Sequence, residues 1–137
     1  MPESKRIYEI DGARFSNLDE FAAEFSRVVL NDYEWKGSLD AFNDILRGGF
    51  GTPDGGFILR WKNSALSRER LGYTETVRIL ERRLKTSLSI NREYVIAELE
   101  RARSRTGTTV FDWLIEIIQE HCAGGAEQED GVELLLE

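Results

Sequence analysis

Apolar residues recur at Leu18, Phe21, Ala22, Phe25, Val28 and Val29, the i, i+3, i+4, i+7 spacing of one helical face. Asn17 stands before this run and Glu20 follows three residues later, an N-cap and its capping partner. The pattern predicts an amphipathic helix whose stripe is core. A shorter segment, Ser38 to Gly48, has two opposed faces. Leu39, Phe42, Ile45 and Leu46 make an apolar stripe, and Asp40, Asn43, Asp44 and Arg47 fall on the other side, three and four residues apart. Gly48-Gly49 closes it by C-terminal glycine logic. Elsewhere the period shortens. Ile7–Ile10 before Asp11-Gly12, Phe57–Trp61 between glycines, and Val132–Leu136 read as short strands.

Four further helical stretches follow the second strand. Residues 64–71 form a short one ended by Gly72. Thr74 to Thr86 continues with Val77, Leu80 and Leu84 inward, and Ile90 to Arg105 with Tyr94, Val95, Leu99 and Ala102 as its apolar face. Thr109–His121 carries Phe111, Trp113, Leu114, Ile115, Ile117 and Ile118 and few polar positions, so it is expected to be the best buried helix. Residues 31–37 read as a loop, and 123–130 as an acidic surface loop. Residues 48–56, GGFGTPDGG, lack a GK[ST] and follow no strand, which excludes a P-loop.

Strands separated by helices predict an α/β fold: a three-stranded parallel sheet with right-handed crossovers, five or six helices, and unequal cover on its two faces. A length of 137 residues supports one core rather than two. No apolar run reaches the roughly 18 residues of a membrane span, and the polar opening MPESKR leads into no signal-peptide core. Cys122, the one cysteine, excludes an intramolecular disulfide and reads as a small half-buried residue near a helix end. A cytoplasmic location is the expectation.

Charge changes the picture more than composition does. The net charge is −7, but residues 1–59 hold six Lys/Arg against eleven Asp/Glu, 60–105 hold twelve against six, and 106–137 hold no basic residue and eight acids. If the two ends of the chain pack together, one surface is strongly acidic. It would repel phosphates and attract basic proteins. The bland alternative is solubility alone.

The segment L-D-A-x-x-D-x-L at 39–46, after an aromatic, glycine-containing turn, resembles the barstar family, intracellular inhibitors of barnase-type ribonucleases. Ile7-Tyr8-Glu9-Ile10-Asp11-Gly12 with Phe15 is similar to that family's first strand and turn. Ile58-Leu59-Arg60-Trp61 is similar to its second strand, and Gly131 to Leu136 to its close. The likeness covers residues 6–71 and 107–137, with a helical insertion at about 72–106 in one domain, 1–137. It implies an inhibitor or immunity protein, with an adaptor of the same fold that inhibits no nuclease as the alternative. The expected partner is a basic extracellular-type or toxin ribonuclease bound one to one, with no nucleic acid, membrane, cofactor or metal.

The resemblance places Asp44 at the family's phosphate-mimicking aspartate and Asp40 at its companion, on the helix that enters the nuclease cleft. A carboxylate fits there because the cleft's cations hold a phosphodiester. Without the resemblance, Asp40 reads as a first-turn acid favoured by the helix dipole, and Asp44 as a solvated residue. Glu120 aligns with an inhibitory glutamate of the last helix; a frayed, solvated helix end is the other reading. Glu34 and Trp35 occupy the family's aromatic pair, with Trp35 open between a partner hot spot and core. Gly48 aligns with a backbone-contact glycine, and Asn43 stands where the family has an aromatic. A tyrosine at the position of Glu34 and a tryptophan at that of Gly49 are also missing. These departures subtract apolar contact and point to a basic nuclease related to barnase rather than to barnase.

The basic block (Arg78, Arg82, Arg83, Lys85, Arg92, Arg101, Arg103, Arg105) raises nucleic-acid binding as a rival. Glutamates at 81, 93, 98 and 100 interrupt it, and Tyr94 is its only ring, so no stacking platform is evident and solvated, partly paired helix faces are expected. Catalysis finds little footing. His121 is the sole histidine, which excludes a two-histidine nuclease, and no triad or metal-ligand spacing is present. His121 reads as a helix C-terminal residue complementing the dipole.

Overall fold

The computed structural model describes residues 5–30, 33–86 and 89–137. Elements run β1 (Ile7–Asp11), α1 (Leu18–Val29), α2 (Leu39–Arg47), β2 (Ile58–Lys62), α3 (Ser64–Arg70), α4 (Tyr73–Thr86), α5 (Ser89–Arg103), α6 (Val110–Glu120) and β3 (Glu133–Leu136), with single 3-10 turns at Gly12–Arg14 and Gln128–Asp130. The predicted α/β class and three-stranded parallel sheet are what the chain forms. Strand order is β1-β2-β3, with both pairings parallel.

In-register pairs put Tyr8 beside Leu59 beside Leu134, and Ile10 beside Trp61 beside Leu136. Tyr8, Ile10, Leu59 and Trp61 are buried under the helices. The opposite face carries Glu9, Arg60, Lys62 and Glu137 in ion pairs at 2.8 to 4.0 Å and leaves Ile7 exposed. The unequal cover follows from the alternation: apolar side chains every second residue can line only one face.

Rings fill the covered side. Phe21 stacks on Trp61 with centroids 5.1 Å apart and meets Phe15, Phe25, Trp35 and Phe42 edge-on or stacked. Such edge-to-face and offset pairs stabilise beyond the area they bury. The Trp61 indole N–H donates to Ser67 Oγ at 2.9 Å, and both residues are wholly buried. Gly12 is required opposite: a Cβ there would lie 2.3 Å from Ser67 Oγ and 2.5 Å from the Asn63 carbonyl.

Helix starts follow the sequence. Asn17 Oδ1 accepts from Glu20 N at 2.8 Å, although the Glu20 carboxylate reaches back to Ser16 N rather than to Asn17. Thr109 and Asp112 make a full capping box on α6.

Three expectations need correction. The best buried helix is α1, which buries seven of its twelve residues where α6 buries four of eleven. Trp113, Ile115 and Ile117 of α6 stay half-buried. Tyr94 of α5 is 68% exposed while Val95, Leu99 and Ala102 turn inward; one residue is 100° on a helix, and the stripe centres on the other three. The loop at 123–130 is only partly a surface loop, since Glu127 and Asp130 are drawn inward by His121. The condition set for an acidic face is met through helices: β2 lies between the terminal strands, and α2 and α6 bring the acidic segments together. Residues 31 and 32 of the predicted 31–37 loop lie outside the described residues.

Candidate functional site

The short helix α2 is fixed from beneath and from its entry. Phe42 and Ile45 have no exposed surface and Leu46 is 3% exposed. Trp35 stacks on Phe42 at 4.5 Å with planes 12° apart, and its indole N–H donates to the Ser38 carbonyl at 2.8 Å. Trp35 N in turn donates to Ser26 Oγ of α1 at 2.9 Å. Trp35 is 2% exposed, so the expectation of a partner hot spot gives way to a core role: its ring is spent on seating the helix. Ser38 accepts from Ala41 N as N-cap, and Gly48, at φ 115°, ends the helix in a backbone conformation that side chains disfavour. A Cβ on Gly48 would meet nothing within 4 Å, so the backbone requirement alone explains the glycine.

The outer face of α2 presents its acids. Asp40 and Asp44 are both exposed, Asp44 with 62% of its side chain open. Asp40 borders a hollow of about 330 Å³ that Lys36, Arg82 and Arg83 also line, so the start of α2 sits beside the basic end of α4. Glu34 is exposed before the helix. Glu120, at the end of α6, is exposed and lines a groove of about 750 Å³ between α6 and β3 with Glu116, Glu133 and Leu136.

Sequence reading missed what ties α2 to α6. His121, the C-cap of α6, is fully buried. Its Nδ1 lies 2.6 Å from Asp130 Oδ2 and its Nε2 lies 2.7 Å from Asn43 Oδ1 on α2. Asp130 accepts the Nδ1–H bond and thereby fixes the ring's orientation. Asn43 therefore faces inward and serves the clasp, and the expectation of a partner contact from its side chain yields to this bond. Glu127 stands 3.5 Å from the same ring and accepts from Arg47 Nε at 2.6 Å. Arg47 Nη1 donates to Asp44 Oδ1 at 2.8 Å. Nothing local in the sequence signals a bond between residues 43 and 121; the one hint was a lone histidine followed by an acid-rich loop.

His121, Glu127 and Asp130 bring three donor atoms within 4.8 Å of one another, a spacing that suits a cation. Asp130 is already bonded to the imidazole and Glu127 to a guanidinium, so the group reads as a hydrogen-bonded clasp. Burial, with help from Glu133, pushes the Cys122 thiol upward, in keeping with an inert half-buried cysteine.

The basic helices are largely paired. Arg78 and Arg82 reach Asp19 at 3.2 Å, Arg78 also binds Glu75 at 2.6 Å, Arg101 pairs with Glu98, and Arg103 with Glu81 at 3.3 Å. Among the described residues no helix is long and apolar enough to cross a membrane.

Compared with known families, residues 5–94 match the family model described as Barstar (barnase inhibitor). The match runs into the stretch set apart above as an insertion and stops before α6. No curated protein and no solved structure matches the chain.

Proposed function

The chain belongs to the barstar family, and from that premise we propose that it is an inhibitor or immunity protein that blocks the active site of a basic ribonuclease with α2. On this reading Asp44 and Asp40 stand where the substrate's phosphates would, and Glu120 adds a third negative contact. The protein acts by occupancy and carries out no chemistry of its own. The pair of helices within residues 72–106 is an elaboration beside this body.

One observation carries the reading. Both aspartates lie open on a helix whose other face is locked by Phe42, Ile45 and Trp35, so the carboxylates are held in place without internal cover. Preorganised charge of this kind binds without a large ordering cost. Opposed fields make association fast and salt-sensitive.

Titration into barnase and a panel of bacterial basic ribonucleases tests it. Inhibition is expected, and Asp44→Ala should raise the inhibition constant about 100-fold or more, mainly through faster dissociation, because the partner's cations are left buried and unpaired. An Asp44→Ala protein that inhibits as well as the parent removes the proposal. A second reading, an adaptor of the same fold without nuclease inhibition, is favoured by the Arg47 to Asp44 pair, which offsets the charge the plug should offer. It predicts that no basic nuclease binds.

A further inference from the structure

The outer face of α2 is not uniformly negative. One turn after Asp44 comes Arg47, which is gripped twice: Nη1 donates to Asp44 Oδ1 at 2.8 Å and Nε to Glu127 Oε1 at 2.6 Å. An i, i+3 pair on a helix surface would be weak and would rearrange on demand. The second grip is different. Glu127 has only 24% of its side chain open and leans on the buried His121, whose other contacts are Asp130 and Asn43. Arg47 is thus anchored from a loop that the histidine holds down. It keeps that anchor even when Asp44 turns to a partner, and with 48% of its side chain exposed it stays within a partner's reach.

Two opposing effects follow. Arg47 orients one oxygen of Asp44, and ordering a side chain beforehand is worth roughly two- to tenfold in affinity. It also sets a fixed positive charge against any cationic cleft wall, and like charges opposed across a desolvated interface cost on the order of a hundredfold or more. The second effect is the larger. Resting on the ribonuclease-plug reading above, we infer that Arg47 is the specificity-determining residue of α2: it disfavours nucleases whose cleft wall is cationic where it docks and favours one that places a carboxylate there. Specificity is a difference between affinities, so one residue that is repulsive to most basic nucleases selects among them.

The test uses barnase and a set of its variants, each with one lysine or arginine of the cleft rim replaced by glutamate. Binding of the parent, Arg47→Ala and Arg47→Glu is measured by surface plasmon resonance. Arg47 lies on the surface, and circular dichroism checks that the variants fold. Arg47→Ala is expected to bind barnase at least about tenfold tighter than the parent, and Arg47→Glu tighter still. At least one rim reversal should strengthen the parent about tenfold while leaving Arg47→Ala unimproved, a coupling that only facing residues show. A uniform change across all nucleases on Arg47→Ala, or no rim reversal that separates parent from variant, overturns the inference. So does absence of binding to every nuclease by the parent and both Arg47 variants. Asp44→Ala in the same series reports separately: if it weakens binding while Arg47→Ala shifts every nuclease equally, the plug stands and the role of Arg47 falls; if it changes nothing, the plug itself falls.

Discussion

Among the described residues two apolar cores hold this chain, and they are made of different material. Beneath α2 the sheet carries interlocked rings: Phe15, Phe21, Phe25, Trp35, Phe42, Trp61 and Phe111, each with a centroid within about 6 Å of another. Between α4 and α5 there is a row of Leu80, Val95, Leu99 and Ala102, flanked by half-buried Val77, Leu84 and Trp113. The ring core fixes directions, because flat rings pack in few ways. The aliphatic row mainly buries area. On the proposed function that contrast matches the demands on the two regions: α2 has to hold carboxylates still, whereas α5 has only to cover α4. The second unit is fastened to the first through Ile79 of α4, which is buried in the first core, through Trp113, which touches both, and through polar bonds. Glu75 caps the start of α1 by accepting from Leu18 N at 2.8 Å, Val110 N donates to Thr76 Oγ1 at 2.9 Å, and Asp19 meets Arg78 and Arg82.

The strongest way to break this comparison is to open the ring core. Phe42→Ala removes a fully buried ring that touches Phe21, Phe25 and Trp35. Aromatic-to-alanine changes in packed cores cost about 3–5 kcal/mol, much of the roughly 5–15 kcal/mol that a small domain has. A urea midpoint lowered accordingly, with loss of any nuclease inhibition, is expected. A loss below about 1 kcal/mol would show that the rings are not interdependent.

Leu99→Ala probes the other core with a smaller expected loss, about 2–3 kcal/mol, at the low end for leucine because the site lies beside a thin, exposed helix layer. The effect should also be local. Amide exchange should quicken across α5 and leave β2 unchanged, since elements with few buried contacts open on their own. Inhibition should persist. Equal acceleration in β2 amides would show one cooperative unit and erase the distinction.

Sequence patterning made the ring core legible and left its polar fastenings hidden. The stripes of α1 and α2 and the alternation of β1 are local signals, written within a few turns, and they place Phe21, Phe25, Phe42 and Ile45 inward, where they lie. Composition misled for α6: its apolar richness suggested full burial, but the helix runs beside the open edge of β3, which leaves Leu136 and part of α6 uncovered. Trp35 carried no periodic context, so core and contact surface looked alike until its stack on Phe42 was seen. The acids of the site were legible as a helix face. The Asn43, His121, Asp130 and Glu127 clasp was not, because it joins side chains from segments that no local pattern relates. Likewise the basic block at 78–105 was legible as partly paired, but not its pairing with Asp19, because that acid lies on α1.

Asp19 also gives the mildest test of how the two regions are joined. The hydrogen bond from Arg82 is the largest influence on its pKa; burial opposes it, and the Arg82 and Arg78 charges with the bond from Arg78 leave the value below that of an ordinary aspartate. A carboxyl whose folded pKa is depressed contributes stability that is present above its unfolded pKa and is lost as pH falls through the folded one. The contribution of Asp19 should therefore be intact at neutral pH and disappear on acidification below about pH 4. Its side chain is 46% exposed, so water and salt screen the pairs and Asp19→Asn should cost at most about 0.5–1 kcal/mol at neutral pH. Denaturation of parent and variant at neutral pH, in low and high salt, and again in acid checks each part. The difference should shrink in 1 M salt and vanish in acid, while the ring core, which holds no charge, keeps its stability difference between parent and Phe42→Ala throughout. A gap between parent and Asp19→Asn that survives both salt and acid would mean that the joint is made by packing rather than by charge.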